Sequence, residues 1–275
     1  MTLHTALLQG TRILEEGGIA APRLTAEVLL SFALRRERIY LYAHPEEELS
    51  EVGWIHYGRY LHQRLKGMPT QYITRRQEFY GREFAVSPAV LIPRPETEHL
   101  VEAAIERVGP GDIVLDVGTG SGAIAITLAL ETRGQVFAVD ISRDALAVGR
   151  GNAGRLNAAV GFLAADLCAP IAGRSVDVLV SNPPYVPRGD ESVLQREVRD
   201  YEPHVALFAG ATGTEMYERL VVDAARVLKP GGWLMVELGY NSLQAVRDML
   251  GGSWRDVEVR SDLAGLPRVL VARLI

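Results

Sequence analysis

The sequence predicts an α/β protein: an open, mostly parallel, doubly wound sheet preceded by a small helical bundle and joined to it by a β-hairpin linker. Three observations carry this. Apolar residues recur at helical spacing before residue 75, strand and helix patterns alternate after Pro95, and a glycine-rich turn follows the first buried-type strand. In the bundle, assigned to 1–75, the spaced residues are Leu7, Leu8, Ile13 and Leu14, then Ala26, Val28, Leu29, Leu30 and Leu34, then Trp54, Tyr57, Tyr60 and Leu61. Thr25 and Ser50 are candidate N-caps. Trp54, Tyr57 and Tyr60 read as bundle core. The linker, 76–92, holds an alternating stretch from Phe79 to Val90 that turns at Gly81-Arg82. The remaining domain, 93–275, opens with a helix from Glu96 to Arg107 and continues with strands near 112–116, 135–139, 160–165 and 176–180. A helix from Thr214 to Leu228 ends at Lys229-Pro230-Gly231-Gly232, ahead of a strand from Trp233 to Glu237. Asp256 to Arg260 and Arg268 to Leu274 complete the sheet as an antiparallel pair. A ligand crevice belongs outside the carboxyl ends of such strands.

Two turns at those ends carry the chemistry. Asn182-Pro183-Pro184-Tyr185 follows the apolar strand Asp177 to Val180. Neither proline has an N–H and each fixes φ near about −65°, so the turn is stiff and cannot continue the sheet ladder. The Asn182 side-chain carbonyl and the Pro183 main-chain carbonyl are then free to accept both hydrogens of a planar NH2 group, with the Tyr185 ring against its plane. The second turn is Asp116-Val117-Gly118-Thr119-Gly120-Ser121-Gly122, entering a helix at Ala123. Gly118, Gly120 and Ala123 satisfy a dinucleotide pattern, with Asp140 at the end of the next strand. Asp116, however, lies two residues before the first glycine, where it repels a pyrophosphate and attracts an ammonium. S-adenosylmethionine therefore fits better than NAD, with Asp140 on the ribose hydroxyls. Asp166, followed by Leu167, lies where the adenine edge is expected; a turn or helix cap is the alternative reading.

In this order, the glycine turn, the three strand-end acids and the Asn-Pro-Pro-Tyr turn resemble the amide and amine branch of the class I methyltransferases. Gly67 to Ile73, Phe79 to Phe84, Ile92 to Glu98, and Glu202-Pro203-His204 with Ala206-Leu207 further resemble the protein-(glutamine-N5) methyltransferases that modify peptide chain release factors. The resemblance runs from about residue 20 to the C-terminus. One departure is Gly210-Ala211-Thr212-Gly213, where that family usually has an Asp-Gly pair after the loop glycine; it reads as a surface variation. The resemblance implies a seven-stranded class I sheet and transfer of a methyl group from S-adenosylmethionine to a release-factor glutamine, leaving S-adenosyl-L-homocysteine. It assigns catalysis to Asn182, Pro183 and Tyr185. Cofactor binding falls to Asp116, Gly118, Thr119, Gly120, Ser121, Gly122, Asp140, Asp166, Leu167 and Asn182, and acceptor binding to Asn182, Pro183, Pro184, Tyr185 and Phe79. For Phe79 a place in the hairpin core is the better reading. The alternatives are a ribosomal-protein glutamine or an exocyclic amine of adenine or cytosine in nucleic acid.

Composition narrows the class further. With 48% hydrophobic and 23% charged residues the chain is globular in type. No apolar run reaches the roughly 20 residues that cross a bilayer, and the N-terminus lacks the pattern of a signal peptide. The single cysteine, Cys168, excludes an internal disulfide, and the six histidines show no metal-ligand spacing. A net charge of −5 speaks against a broad nucleic-acid surface. The expectation is a cytoplasmic monomer, without metal, that binds neither membrane nor nucleic acid stably.

Overall fold

The computed structural model describes residues 1–275 and divides into two compact units. The first comprises Met1–Arg76 with Gln195–Tyr201, the second Gln77–Leu194 with Glu202–Ile275.

The first unit contains α1 (Leu3–Glu16), α2 (Pro22–Leu34), α3 (Arg38–Ala43), α4 (Glu51–Leu65), α5 (Thr70–Thr74) and the later α9 (Arg196–Tyr201). Its core includes Leu7, Leu14, Leu29, Leu30, Tyr57 and Leu61. Ser50 caps α4, its hydroxyl accepting from Gly53 N. Thr25 is no cap: α2 starts three residues earlier at Pro22, whose missing N–H is harmless in a first turn. Leu8 and Ile13 are exposed, because one helical step of about 100° turns them off the face that Leu7 and Leu14 share. Trp54 is also exposed rather than core, although its ring lies 6.4 Å from that of buried Tyr57. The segment Gln195–Tyr201, which the sequence reading assigns to 93–275, packs in this unit. There Glu197 pairs with the buried Arg64 at 2.6 Å and the Tyr201 hydroxyl donates to Lys66 O at 3.0 Å.

In the second unit β1 (Arg76–Phe79) and β2 (Arg82–Ala85) form the hairpin. Its turn lies at Tyr80 and Gly81, one residue earlier than expected, and its strands stop short of Val90. Both turn residues have positive φ, 51° and 67°, as a two-residue hairpin turn requires. The main sheet has β3 (Ile113–Val117), β4 (Gln135–Asp140), β5 (Val160–Ala164), β6 (Val176–Ser181), β9 (Leu228–Glu237), β10 (Trp254–Ser261) and β11 (Pro267–Leu274). Their order is β10-β11-β9-β6-β3-β4-β5, seven strands of which β11 alone runs against its neighbours. The short strands β7 (Val186–Pro187) and β8 (Phe208–Gly210) pair separately.

The sheet is apolar on both faces, as central parallel strands must be. Val114, Val178, Val180 and Met235 point to one core, shared with α6 (Glu98–Ile105), α7 (Ala123–Glu131) and α8 (Arg143–Leu156). Leu115, Val117, Leu179 and Val236 point to the other, shared with α11 (Glu215–Val227) and α12 (Leu243–Met249). The predicted helix at 96–107 is instead a 3-10 turn, Pro95–Thr97, followed by α6. Lys229 to Gly232 bulge out of β9 rather than precede it. Leu228 stands opposite Val176 and Trp233 opposite Val178, with Gly231 at φ +83°. Between β3 and β6 the strand order reverses, so the ends of these two strands flank the expected crevice.

Candidate active site

A crevice of about 600 Å³ lies at those strand ends. Gly118 and Gly120 form part of its floor, and Gly118, Gly120 and Gly122 have φ of +76°, +55° and +81°. A side chain at Gly118 or Gly120 would meet open space, so backbone conformation and not crowding demands glycine there. Two carboxylates hold the turn. Asp116 accepts from the Thr119 hydroxyl at 2.6 Å and from Ala125 N at 3.2 Å, both through Oδ2. Asp140 accepts from Gly120 N and Ser142 N, each at 2.9 Å.

Asp140 lines the crevice with its carboxylate fixed by these backbone donors, a geometry suited to a diol. Asp116 does not line it. Fully buried beneath the turn, it has Oδ1 without any partner, and burial pushes its carboxyl up to about 7. Its hydrogen bonds shape the glycine turn, and the attraction expected of it for an ammonium would act from beneath that turn. Thr119 and Ser121 are likewise buried supports. Asn152, which the sequence reading missed, donates to Ser121 O at 2.9 Å and exchanges hydrogen bonds with the Ala85 backbone.

Asp166 and Leu167 line the crevice, but both Asp166 oxygens take Arg219 Nη2 at 2.8 Å. That carboxylate forms a half-exposed ion pair with α11 while still lining the crevice. The chemistry of the lining nonetheless fits an adenosyl sulfonium. It offers a glycine floor with approachable backbone, a fixed strand-end carboxylate, and an orphaned buried carboxylate oxygen below.

Asn182, Pro183 and Pro184 form the opposite side. Ser181 ties the two strand ends together, its hydroxyl donating to Val117 O at 2.7 Å. Asn182 Nδ2 donates to Thr97 Oγ1 at 3.2 Å. Thr97 closes the 3-10 turn before α6 and is buried, as is Glu237 at the end of β9. Tyr185 does not face the crevice: its ring packs on Gly239, where a Cβ would approach to 2.8 Å, and burial pushes its phenol up to about 12. In this position the ring braces the loop from behind. Phe79 is also corrected, since it sits 1% exposed in the core, edge-on to Phe84 at 6.0 Å, and is not a crevice residue.

Ala89 to Leu91, Pro203 to Ala206 and Phe208 supply further walls. Buried Glu202 joins two of these stretches, accepting from Ile92 N at 3.3 Å and pairing with Arg94. The departure at 210–213 is more than surface variation. Ala211 and Thr212 are exposed, but Gly213 is buried at φ +86° with Tyr185 O 2.7 Å from where its Cβ would be. Glu215 accepts from Thr212 N and Gly213 N, and the backbone donors of Thr212 and of Glu215 itself hold its carboxyl down at about 2.

Comparison with known proteins agrees with this architecture at two levels. Residues 96–200 match the family described as methyltransferase small domain. A methyltransferase structure from Pyrococcus furiosus, 19% identical over 71% of this chain and 90% of its own, superposes with a TM-score of 0.54. The fold is that of an α/β methyltransferase. More narrowly, residues 5–74 match the family described as PrmC N-terminal domain. The release factor glutamine methyltransferase of Koribacter versatilis is 48% identical over 99% of each chain. That of Moorella thermoacetica is 43% identical over 99% of this chain and 98% of its own. The chain belongs to the release factor glutamine methyltransferase family.

Proposed function

We propose that the crevice binds S-adenosylmethionine over the glycine turn and a release-factor glutamine against Asn182, and that the product is N5-methylglutamine. The observation that carries the proposal is the orientation of the Asn182 amide. Its nitrogen is engaged by Thr97, which leaves Oδ1 to accept a hydrogen bond at a crevice whose floor suits the cofactor.

A carboxamide nitrogen is a poor nucleophile because its lone pair is delocalised. Bound S-adenosylmethionine supplies an electrophilic methyl group and departs as S-adenosyl-L-homocysteine. Asn182 Oδ1 and the Pro183 carbonyl accept the two N–H hydrogens of the glutamine, orient its nitrogen and favour the positive charge that grows there. Alignment of this kind supplies most of what an in-line displacement needs, so no strong base has to act before attack, and the methylated nitrogen then loses one proton to water to give neutral N5-methylglutamine. Pro184 and Tyr185 keep the loop rigid. Asp140 holds the ribose, and Asp116 maintains the turn and adds negative charge below the cationic cofactor. Under this reading every residue named comes from one chain, as in a monomer, and the protein works in the cytoplasm. No helix is long and apolar enough to cross a membrane.

The test is transfer of radiolabelled methyl from S-adenosylmethionine to purified release factor, large ribosomal subunit and undermodified DNA in parallel, with mass mapping of the product. Label on one release-factor glutamine is expected. Label confined to ribosomal protein or DNA overturns the substrate while retaining the acceptor chemistry.

A further inference from the structure

In-line methyl transfer needs the donor carbon and the acceptor nitrogen at a set separation, and here the two are carried by different strands. The glycine turn leaves β3 at Val117, and the Asn-Pro-Pro-Tyr loop leaves β6 at Ser181. Val117 and Ser181 are the last registered pair of the β3–β6 ladder. Beyond that pair the chains part. Gly118 N and Thr119 N donate to Val139 O of β4, at 2.9 and 3.0 Å, whereas Asn182 Nδ2 donates to Thr97 Oγ1 ahead of α6. Such a divergence opens the crevice at the switch point, and past it no strand register sets the distance between the two loops.

Ser181 adds a side-chain bond at that last pair. Its hydroxyl donates to Val117 O at 2.7 Å, the residue is 1% exposed, and both residues line the crevice. An aliphatic side chain would satisfy the packing alone, since Leu179, two residues earlier on the same face of β6, lies in the apolar core. A buried hydroxyl costs free energy unless it is hydrogen-bonded, and this one is bonded across the gap between the strands. We propose that Ser181 is the positioning residue that sets the separation of methyl donor and acceptor: its hydroxyl pins the end of β6, which carries Asn182, to the end of β3, which carries the cofactor turn. This deepens the reading above and rests on a cofactor over the glycine turn and a glutamine at Asn182.

Contact with either ligand is not required of Ser181, which acts through its two neighbours. Each loop keeps its own supports when the tie is removed. The glycine turn retains the hydrogen bonds that Asp116 and Asp140 accept and the one that Asn152 donates, and Asn182 retains Thr97. Loss of the hydroxyl should therefore leave both ligands bound and misalign one with respect to the other, so that the deficit falls on the transfer step. Misplacement by about 1 Å costs on the order of 100-fold in rate, and the removal of one tie beside an intact ladder should cost about 10-fold or more. A serine hydroxyl does not titrate in the working range, so the factor should be the same at every pH.

The experiment measures single-turnover methyl transfer at saturating cofactor, cofactor Kd by calorimetry and acceptor KM for the full-length protein, with release factor as acceptor. Ser181→Ala is expected to slow transfer about 10-fold or more while cofactor Kd and acceptor KM stay within about twofold. Ser181→Thr and Ser181→Val share one shape and differ in the hydroxyl, so the threonine protein should transfer about fivefold or more faster than the valine protein. A Ser181→Ala protein with wild-type transfer, or one whose loss lies in cofactor Kd or acceptor KM, overturns the proposal. If that variant does not fold, the second pair decides: equal transfer by Ser181→Thr and Ser181→Val is equally fatal. An active Asn182→Ala protein sinks the acceptor reading itself, whereas an inactive one beside an unaffected Ser181→Ala removes only the positioning role.

Discussion

The two sides of the crevice solve one problem by different means. On the glycine side the floor is backbone, fixed by hydrogen bonds that Asp116 and Asp140 accept. On the Asn-Pro-Pro-Tyr side the facing group is a side chain with a rotational choice of its own, held here by its hydrogen bond to Thr97. Each side keeps one buried carboxyl with an unpartnered oxygen, Asp116 Oδ1 and Glu237 Oε2, and both carboxyls are raised to about 7. The similarity shows where stability is given up for function; the difference shows which variants separate binding from chemistry.

The largest effect is expected from Asn182→Ala. Loss of the oriented acceptor should lower kcat about 1,000-fold, in the range seen when a charge-stabilising hydrogen bond is removed, with cofactor Kd within about twofold. The contrasting change is Asp116→Asn, which should weaken cofactor binding roughly 10- to 100-fold while leaving kcat at saturation within a few-fold, as a titration calorimeter and initial rates would show. The same substitution should stabilise the ligand-free protein by on the order of 1–3 kcal/mol at neutral pH, because it removes a buried group that resists ionisation. The sign in pH follows. A carboxyl whose folded pKa is raised binds its proton more tightly in the native state, so ligand-free stability falls as pH rises from the ordinary carboxylate range to about 7, and less so in Asp116→Asn. Thermal melts across that window would register it.

Smaller effects come from supporting residues. Gly239→Ala puts a methyl group against the Tyr185 ring, so it should cost about 1–3 kcal/mol and a few-fold in kcat, read from denaturant melts and rates. Arg219→Ala breaks a half-exposed pair with Asp166 and should change stability by less than about 1 kcal/mol. A tenfold loss of cofactor affinity in that variant would show that the pair holds Asp166 for the adenine edge.

Much of the sheet was legible because buried parallel strands are short apolar runs, and Ile113–Val117 and Val176–Ser181 differ from their predicted limits by a single residue. The glycine turn and Asn182 were legible because their chemistry is local in sequence. What escaped depends on packing between distant segments. Asp116 sits near the right turn but under it, Phe79 and Tyr185 turn their rings inward, and Thr97 meets Asn182 across 85 positions. Glu237 did leave a trace: it is another acid at the end of an apolar strand, like Asp116 and Asp140, and that pattern alone would have singled it out. Gln195–Tyr201 left none, since nothing in its composition says which unit it joins.

The most direct test of this division of labour is to titrate S-adenosylmethionine into Asn182→Ala and Asp116→Asn and to measure single-turnover methyl transfer to release factor by the same two proteins. A crossed result is expected, with Asn182→Ala binding normally and transferring about 1,000-fold more slowly, and Asp116→Asn binding weakly yet transferring within a few-fold of wild type once saturated. If Asn182→Ala loses cofactor affinity in proportion to its rate, the two sides are not separate and the assignment of Asn182 to the acceptor is wrong.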